Sequence, residues 1–146
     1  MHSNTIDLKN ITYKVQPVKY LVNGDHADFV FKVVGPSNMS FHIKDRYSSL
    51  RQFQSLIKKD LDESVNLASL PQFPKKKYLK TMDPKFLDLR MIELGRYFNA
   101  FLENPKIAGN KYVMLYLAER AADQESQNKI AELNQMLINA KERENQ

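Results

Sequence analysis

Cysteine is absent from this chain, which excludes disulfides and thiolate metal sites and fits a reducing cytosol. No run of about 18 apolar residues occurs, so no transmembrane helix is expected. The first residues, Met1-His2-Ser3-Asn4, lack the basic and apolar regions of a signal peptide. The three histidines, His2, His26 and His42, show neither HxxxH nor HExxH spacing, so no metal site is indicated. A glycine-rich phosphate loop is missing, and no serine sits in a nucleophile-elbow context. The acidic residues are scattered over polar faces. Together these absences argue against an enzyme and against a cofactor.

What is present is a basic chain of 146 residues, long enough for one domain with one core. Hydrophobic residues make up 42% and charged residues 27%, the balance of a globular domain. The net charge of +5 is unevenly placed. Residues 1–118 carry 18 Lys and Arg against 11 Asp and Glu, whereas residues 119–146 carry 4 against 6. The excess of cations therefore belongs to the folded part, and points to an anionic partner: nucleic acid, an acidic protein or a membrane surface. The basic and aromatic residues do not follow an RNP-type pattern, which argues against nucleic acid.

The first third reads as strands. Residues 11–22 alternate imperfectly, with Pro17 marking an edge position or bulge. Asn23-Gly24-Asp25 is a turn signal, residues 28–34 are rich in β-formers, Gly35-Pro36-Ser37-Asn38 is a second turn, and residues 39–43 give a third strand. These elements predict an antiparallel meander. The period then becomes helical, with Tyr47, Leu50, Phe53, Leu56, Ile57 and Leu61 recurring on one face and Asp45 or Ser48 available as cap. Residues 62–81 lack helical continuity. Asp83-Pro84 reads as an N-cap followed by a first-turn proline. The helix after it places Leu87, Met91, Leu94, Phe98, Phe101 and Leu102 on one face, and ends at Asn104-Pro105. Beyond Gly109-Asn110, residues 112–117 suggest a short docked helix. The remainder is polar, with a thin seam of Ile130, Leu133, Leu137 and Ala140 at coiled-coil spacing. The expected fold class is α+β: a three-stranded antiparallel meander packed on a helical subdomain (residues 5–118), with a helical C-terminal extension (residues 119–146).

Three distant pieces supply cationic donors beside aromatic or apolar residues: Arg46-Tyr47, Leu70-Pro71-Gln72-Phe73-Pro74-Lys75-Lys76, and Arg90. Arginine offers a planar fork that matches phosphate oxygens, and lysine a compact charge. Arg46 falls where strand gives way to helix, beside a helix N-terminus that itself favours anions. Taken singly, each piece has a plainer reading: Arg46 paired with Asp45, a solvated basic loop or a PxxP ligand, a surface helix arginine. Taken in order, they resemble the PX (phox homology) domain family. Its members carry an Arg-Tyr or Arg-Phe pair at the sheet–helix junction, an apolar-Pro-x-x-Pro-x-Lys segment, and an arginine early in the next helix. The resemblance spans roughly residues 11–117.

The resemblance implies a module that recruits itself to endosomal membranes from the cytoplasm by binding phosphatidylinositol 3-phosphate. It assigns Arg46 to the 3-phosphate, Tyr47 to the inositol face, Lys76 to the 1-phosphate and Arg90 to the ring hydroxyls at positions 4 and 5. It also implies membrane contact by Lys75, Lys77, Tyr78, Leu79 and Met82. Departures are Asp45, where many members carry a second arginine, Ser48, where some carry another basic residue, and Leu70 in place of proline. The competing expectation is a PX-like protein-interaction module with weak or no lipid binding, acting through its C-terminal helix by self-association or a partner at residues 119–146.

Overall fold

The computed structural model describes residues 11–77 and 82–144. Its three strands are β1 (Lys14–Asn23), β2 (His26–Val34) and β3 (Ser40–Arg46), paired antiparallel in the order β1-β2-β3. The meander expected from the alternation is therefore present. Asn23 pairs with His26, leaving Gly24-Asp25 as a two-residue loop. Gly24 takes φ +67°, a conformation that costs glycine nothing sterically. The β1–β2 register breaks between Pro17 and Lys19, so Val18 is the extra residue of a bulge next to the proline that cannot donate to the ladder. β2 is the central strand and turns Phe29, Phe31 and Val33 to one buried face.

Helix α1 (Tyr47–Asp60) leaves β3 without an intervening loop. Neither Asp45 nor Ser48 caps it. Arg46 holds the N-cap position and makes no side-chain capping bond. The carboxylate of Asp45 is engaged elsewhere: it accepts from the Tyr116 hydroxyl and, at 3.1 Å, from Arg120 Nη2. The buried positions of α1 are Leu50, Gln54 and Ile57, and Leu56, expected inside, is 58% exposed. A polar residue is tolerated there because Gln54 is satisfied at both ends. Its Oε1 accepts from Tyr97 Oη at 2.8 Å, and its Nε2 donates to the Arg51 carbonyl at 3.2 Å.

Helix α2 (Pro84–Glu103) begins as its sequence dictates, with Asp83 accepting from the Lys85 amide at 3.0 Å and Pro84 in the first turn. All six apolar residues expected on its inner face are buried, together with Gly95 and Tyr97. α2 crosses β1 closely. Asn99 Oδ1 accepts from the Val15 amide at 3.0 Å, the Leu102 carbonyl accepts from the Tyr13 amide at 3.0 Å, and Gly95 lies against Pro17. A short turn of helix, α3 (Pro105–Ala108), follows.

The last helix, α4 (Lys111–Glu144), differs from expectation. The short docked helix and the polar extension form one continuous helix of 34 residues, about 51 Å long. No break occurs at 118/119, because the stretch contains neither glycine nor proline. Val113 and Leu117 are buried, Tyr116 and Ala121 pack at the edge of the core, and residues 125–144 are exposed throughout.

The α2–β1 crossing yields a test. A β-carbon on Gly95 would stand 3.2 Å from Pro17 Cδ, so a branched side chain must push the helix off the strand. Gly95→Leu is expected to destabilise the domain by about 1–3 kcal/mol despite leucine's better helix propensity, measured by urea unfolding.

Candidate functional site

The three sequence-distant pieces meet, and main-chain carbonyls are what they meet on. Tyr47, the first residue of α1, donates its hydroxyl to the Pro74 carbonyl at 2.6 Å. Arg90, from α2, donates Nη2 to the Lys75 carbonyl at 2.7 Å. Its guanidinium lies 3.8 Å from the centre of the Tyr47 ring and 4.6 Å from that of Phe86. The loop bearing the lysines is thus fastened at two consecutive carbonyls by side chains from two helices. Phe73 anchors it from below, stacked on Tyr47 at 5.6 Å and set edge-on to Tyr97 at 5.0 Å. Pro74 is buried and its carbonyl is bonded, so this PxxP segment is not displayed as a free polyproline ligand.

Arg46, Tyr47, Lys76 and Arg90 line one cavity of about 190 Å3, with Lys77, Met82 and Phe86 on its walls and Phe29 among its apolar lining. Arg46 and Lys76 are exposed and have no side-chain hydrogen bond or ion pair among the described residues. Arg46 also stands at the α1 N-terminus, as the N-cap residue, and its side chain makes no capping bond to the helix amides. Burial pulls the Arg90 guanidinium below its ordinary pKa, partly offset by Tyr47 and Glu93. Burial pushes the Tyr47 phenol up, against the lowering effect of Arg90 and Arg51, so it stays a neutral donor to Pro74.

The remaining residues divide. Lys75 contributes its carbonyl to Arg90, and Lys77 Nζ stands 4.4 Å from the Phe86 ring centre. Met82 is half-buried, packs against the core and lines the cavity. Tyr78 and Leu79 lie outside the described residues. Sequence reasoning missed Asp25 and His26, which the β1–β2 turn brings to the cavity; His26 Nδ1 is 3.5 Å from the Asp25 carboxylate. No local signal marks them, since their position follows from the hairpin's register. It also missed the structural role of Phe73, although the residue lies inside the motif it singled out.

A three-stranded meander packed on helices, with a basic cavity at the sheet–helix junction, defines a PX-type architecture. The PX domain family model matches residues 33–120, well over half of the chain, and the chain belongs to that family. Among solved structures, it is similar to a designed CISK-PX domain determined by X-ray crystallography. That match has a TM-score of 0.59 and 20% identity, and covers 70% of this chain and 96% of that one. No curated protein matches the sequence. PX domains are non-catalytic modules that generally bind phosphoinositides and associate peripherally with membranes. Among the described residues, no helix is long and apolar enough to cross a membrane.

The buried phenols predict an alkaline weakness. Tyr47, Tyr97 and Tyr116 all have pKa values raised, first by burial, and Tyr116 further by Asp45. The unfolded chain releases these protons near pH 10, and the folded chain only above it. The stability they support is complete below about pH 10 and is lost as pH rises through the folded values. Urea unfolding from pH 8 to 11 should show stability falling above pH 10, with a shallower fall in Tyr97→Phe.

Proposed function

We propose that this PX domain recognises phosphatidylinositol 3-phosphate and is recruited by it to endosomal membranes. The observation that carries the reading is the convergence of Arg46, Tyr47, Lys76 and Arg90 on one cavity in which Arg46 and Lys76 are unengaged cations. Arg46, beside the open helix N-terminus, takes the 3-phosphate. Lys76, on the anchored loop, takes the 1-phosphate next to the bilayer. Arg90 already gives one donor to Lys75 and lies over Tyr47, so its remaining N–H groups suit the neutral hydroxyls at positions 4 and 5 better than a second dianion. Because Arg90 covers the Tyr47 ring, Tyr47 serves first as the platform for that arginine, and meets the inositol ring beside it.

At the bilayer, Lys75 and Lys77 add about 1 kcal/mol each near an acidic leaflet. Tyr78, Leu79 and Met82 supply the apolar contact, Met82 from the cavity wall that it also lines. The test is binding to liposomes with and without phosphatidylinositol 3-phosphate. Arg46→Ala leaves the doubly charged phosphate unpaired and should cost about 2–5 kcal/mol, abolishing recruitment while the domain stays folded. Lysine at this position should rescue in part, since the fork is lost. Arg90→Ala should weaken binding and relax the preference among mono-, bis- and tris-phosphorylated lipids. Full retention of 3-phosphate binding by Arg46→Ala would sink the site.

A second reading draws on α4, where Ile130, Leu133 and Leu137 are 57%, 59% and 61% exposed. This seam supports self-association or a protein partner. Deleting residues 123–146 should leave head-group affinity unchanged and alter only the oligomeric state, measured by calorimetry and analytical ultracentrifugation. Loss of head-group binding would show that the distal helix is required by the site.

A further inference from the structure

Asp45 stands immediately before Arg46, where its negative charge would be expected to oppose a phosphate. The structure gives it different work. Its carboxylate accepts from Tyr116 Oη and from Arg120 Nη2, both on α4 and more than seventy residues away in the chain. The Arg120 guanidinium in turn lies 3.3 Å from the centre of the Tyr116 ring, and that ring stacks on Phe53 of α1 at 4.1 Å. One turn of α4 therefore grips the last residues of β3 through Asp45 and the second turn of α1 through Phe53. Arg46 and Tyr47 lie between those two points. No hydrogen bond or ion pair among the described residues holds the Arg46 side chain, and Arg46 as N-cap makes no capping bond, whereas Tyr47 is also fastened on its loop side by Pro74, Phe73 and Arg90.

We infer that Asp45 is a positioning residue for the phosphate site, and that Tyr116 and Arg120 of α4 belong to the apparatus that holds Arg46 and Tyr47 in place. This rests on the proposed lipid-binding reading. Alternation along β3 sends the Asp45 side chain to the face opposite Arg46, and Arg120 neutralises it there. The acid's charge is thus offset by its Arg120 partner, while its bonds fix the strand end from which Arg46 projects. A charge one residue away from the phosphate ligand is in this way converted into support for it.

The consequence is a sign opposite to simple electrostatics. Asp45→Asn removes a negative charge beside an anion site, yet should weaken affinity for soluble short-chain phosphatidylinositol 3-phosphate by about fivefold or more. Arg120→Gln should match it, Arg120→Lys should recover part of the loss, and Val113→Ala, a core change one turn before Leu117, should lower stability without touching affinity. Calorimetry on the 146-residue chain supplies the affinities. In parallel, 15N relaxation of the Arg46 and Tyr47 amides in lipid-free protein should show increased motion in Asp45→Asn and Arg120→Gln, and none in Val113→Ala. Unchanged or tighter binding by Asp45→Asn, or unchanged amide relaxation, would overturn the inference. If the unmodified chain fails to bind the lipid, the functional reading falls, and the relaxation measurement still decides whether the α4 clasp orders Arg46.

Discussion

The contact on which the site depends is the seating of the Phe73 ring between Tyr47 and the α2 aromatics. Three consecutive lysines repel one another, and a free loop carrying them would spread into solvent. Phe73 prevents this with an apolar anchor, stacked on Tyr47 and set edge-on to Tyr97 and Phe98. Tyr47 and Arg90 then close on the carbonyls of the next two residues. The order matters physically. Burial and ring packing are insensitive to salt, whereas the attraction between the lysines and an anionic surface is screened within about 10 Å at 0.1 M ionic strength. The loop's shape is thus set mainly by buried contacts that salt affects far less than it affects the attraction of the lysines.

The same division of labour runs through the charged residues. Arg90 is an arginine with two jobs, a hydrogen-bond donor to the loop and a planar cation over two aromatic rings, and burial lowers its pKa without removing its charge. Lysine could not take its place, having no flat face to lay on Tyr47. Arg46 and Lys76 are left unengaged by the fold. The cations that build the site and the cations free to meet a ligand are different residues, so occupying the cavity with an anion need not break any contact that Arg46 or Lys76 makes in the structure.

Local patterns made the meander, its glycine turn, the proline bulge, the Asp83-Pro84 helix start and the inner face of α2 legible. Each is decided by residues within a few positions of one another. Where the reading failed, the deciding partner was distant. Asp45 looked like a helix cap and is taken by Tyr116 and Arg120, which no local rule could reveal. Leu56 looked like core, but Gln54 occupies the inner face, because the Tyr97 hydroxyl from α2 reaches it. The four candidate residues that line the cavity could be picked out as residue types in a familiar order. That Tyr47 and Arg90 fasten the lysine loop through the carbonyls of Pro74 and Lys75 could not, since a carbonyl is present at every position and carries no sequence signal.

The length of α4 raises the last point. An isolated helix of some 20 polar residues is marginal in water, because nucleation is costly. The exposed half has modest help: Glu125 and Lys129 pair at 3.5 Å in the favourable order, Gln124 bonds Asn128, Gln135 bonds Asn139, and Lys141 and Arg143 lie at the negative end. Such contacts give a few tenths of a kcal/mol each. The larger contribution comes from the other end. Val113 and Leu117 are buried and Tyr116 is locked to Asp45, so the domain supplies the nucleus and the extension only propagates it. Propagation needs no breaker, and none occurs after Asn110. Covering the exposed leucines would stabilise each by up to about 1.5–3 kcal/mol, several times what the side-chain pairs provide. The outer half of α4 therefore has more to gain from an apolar neighbour than from any contact it makes within its own chain.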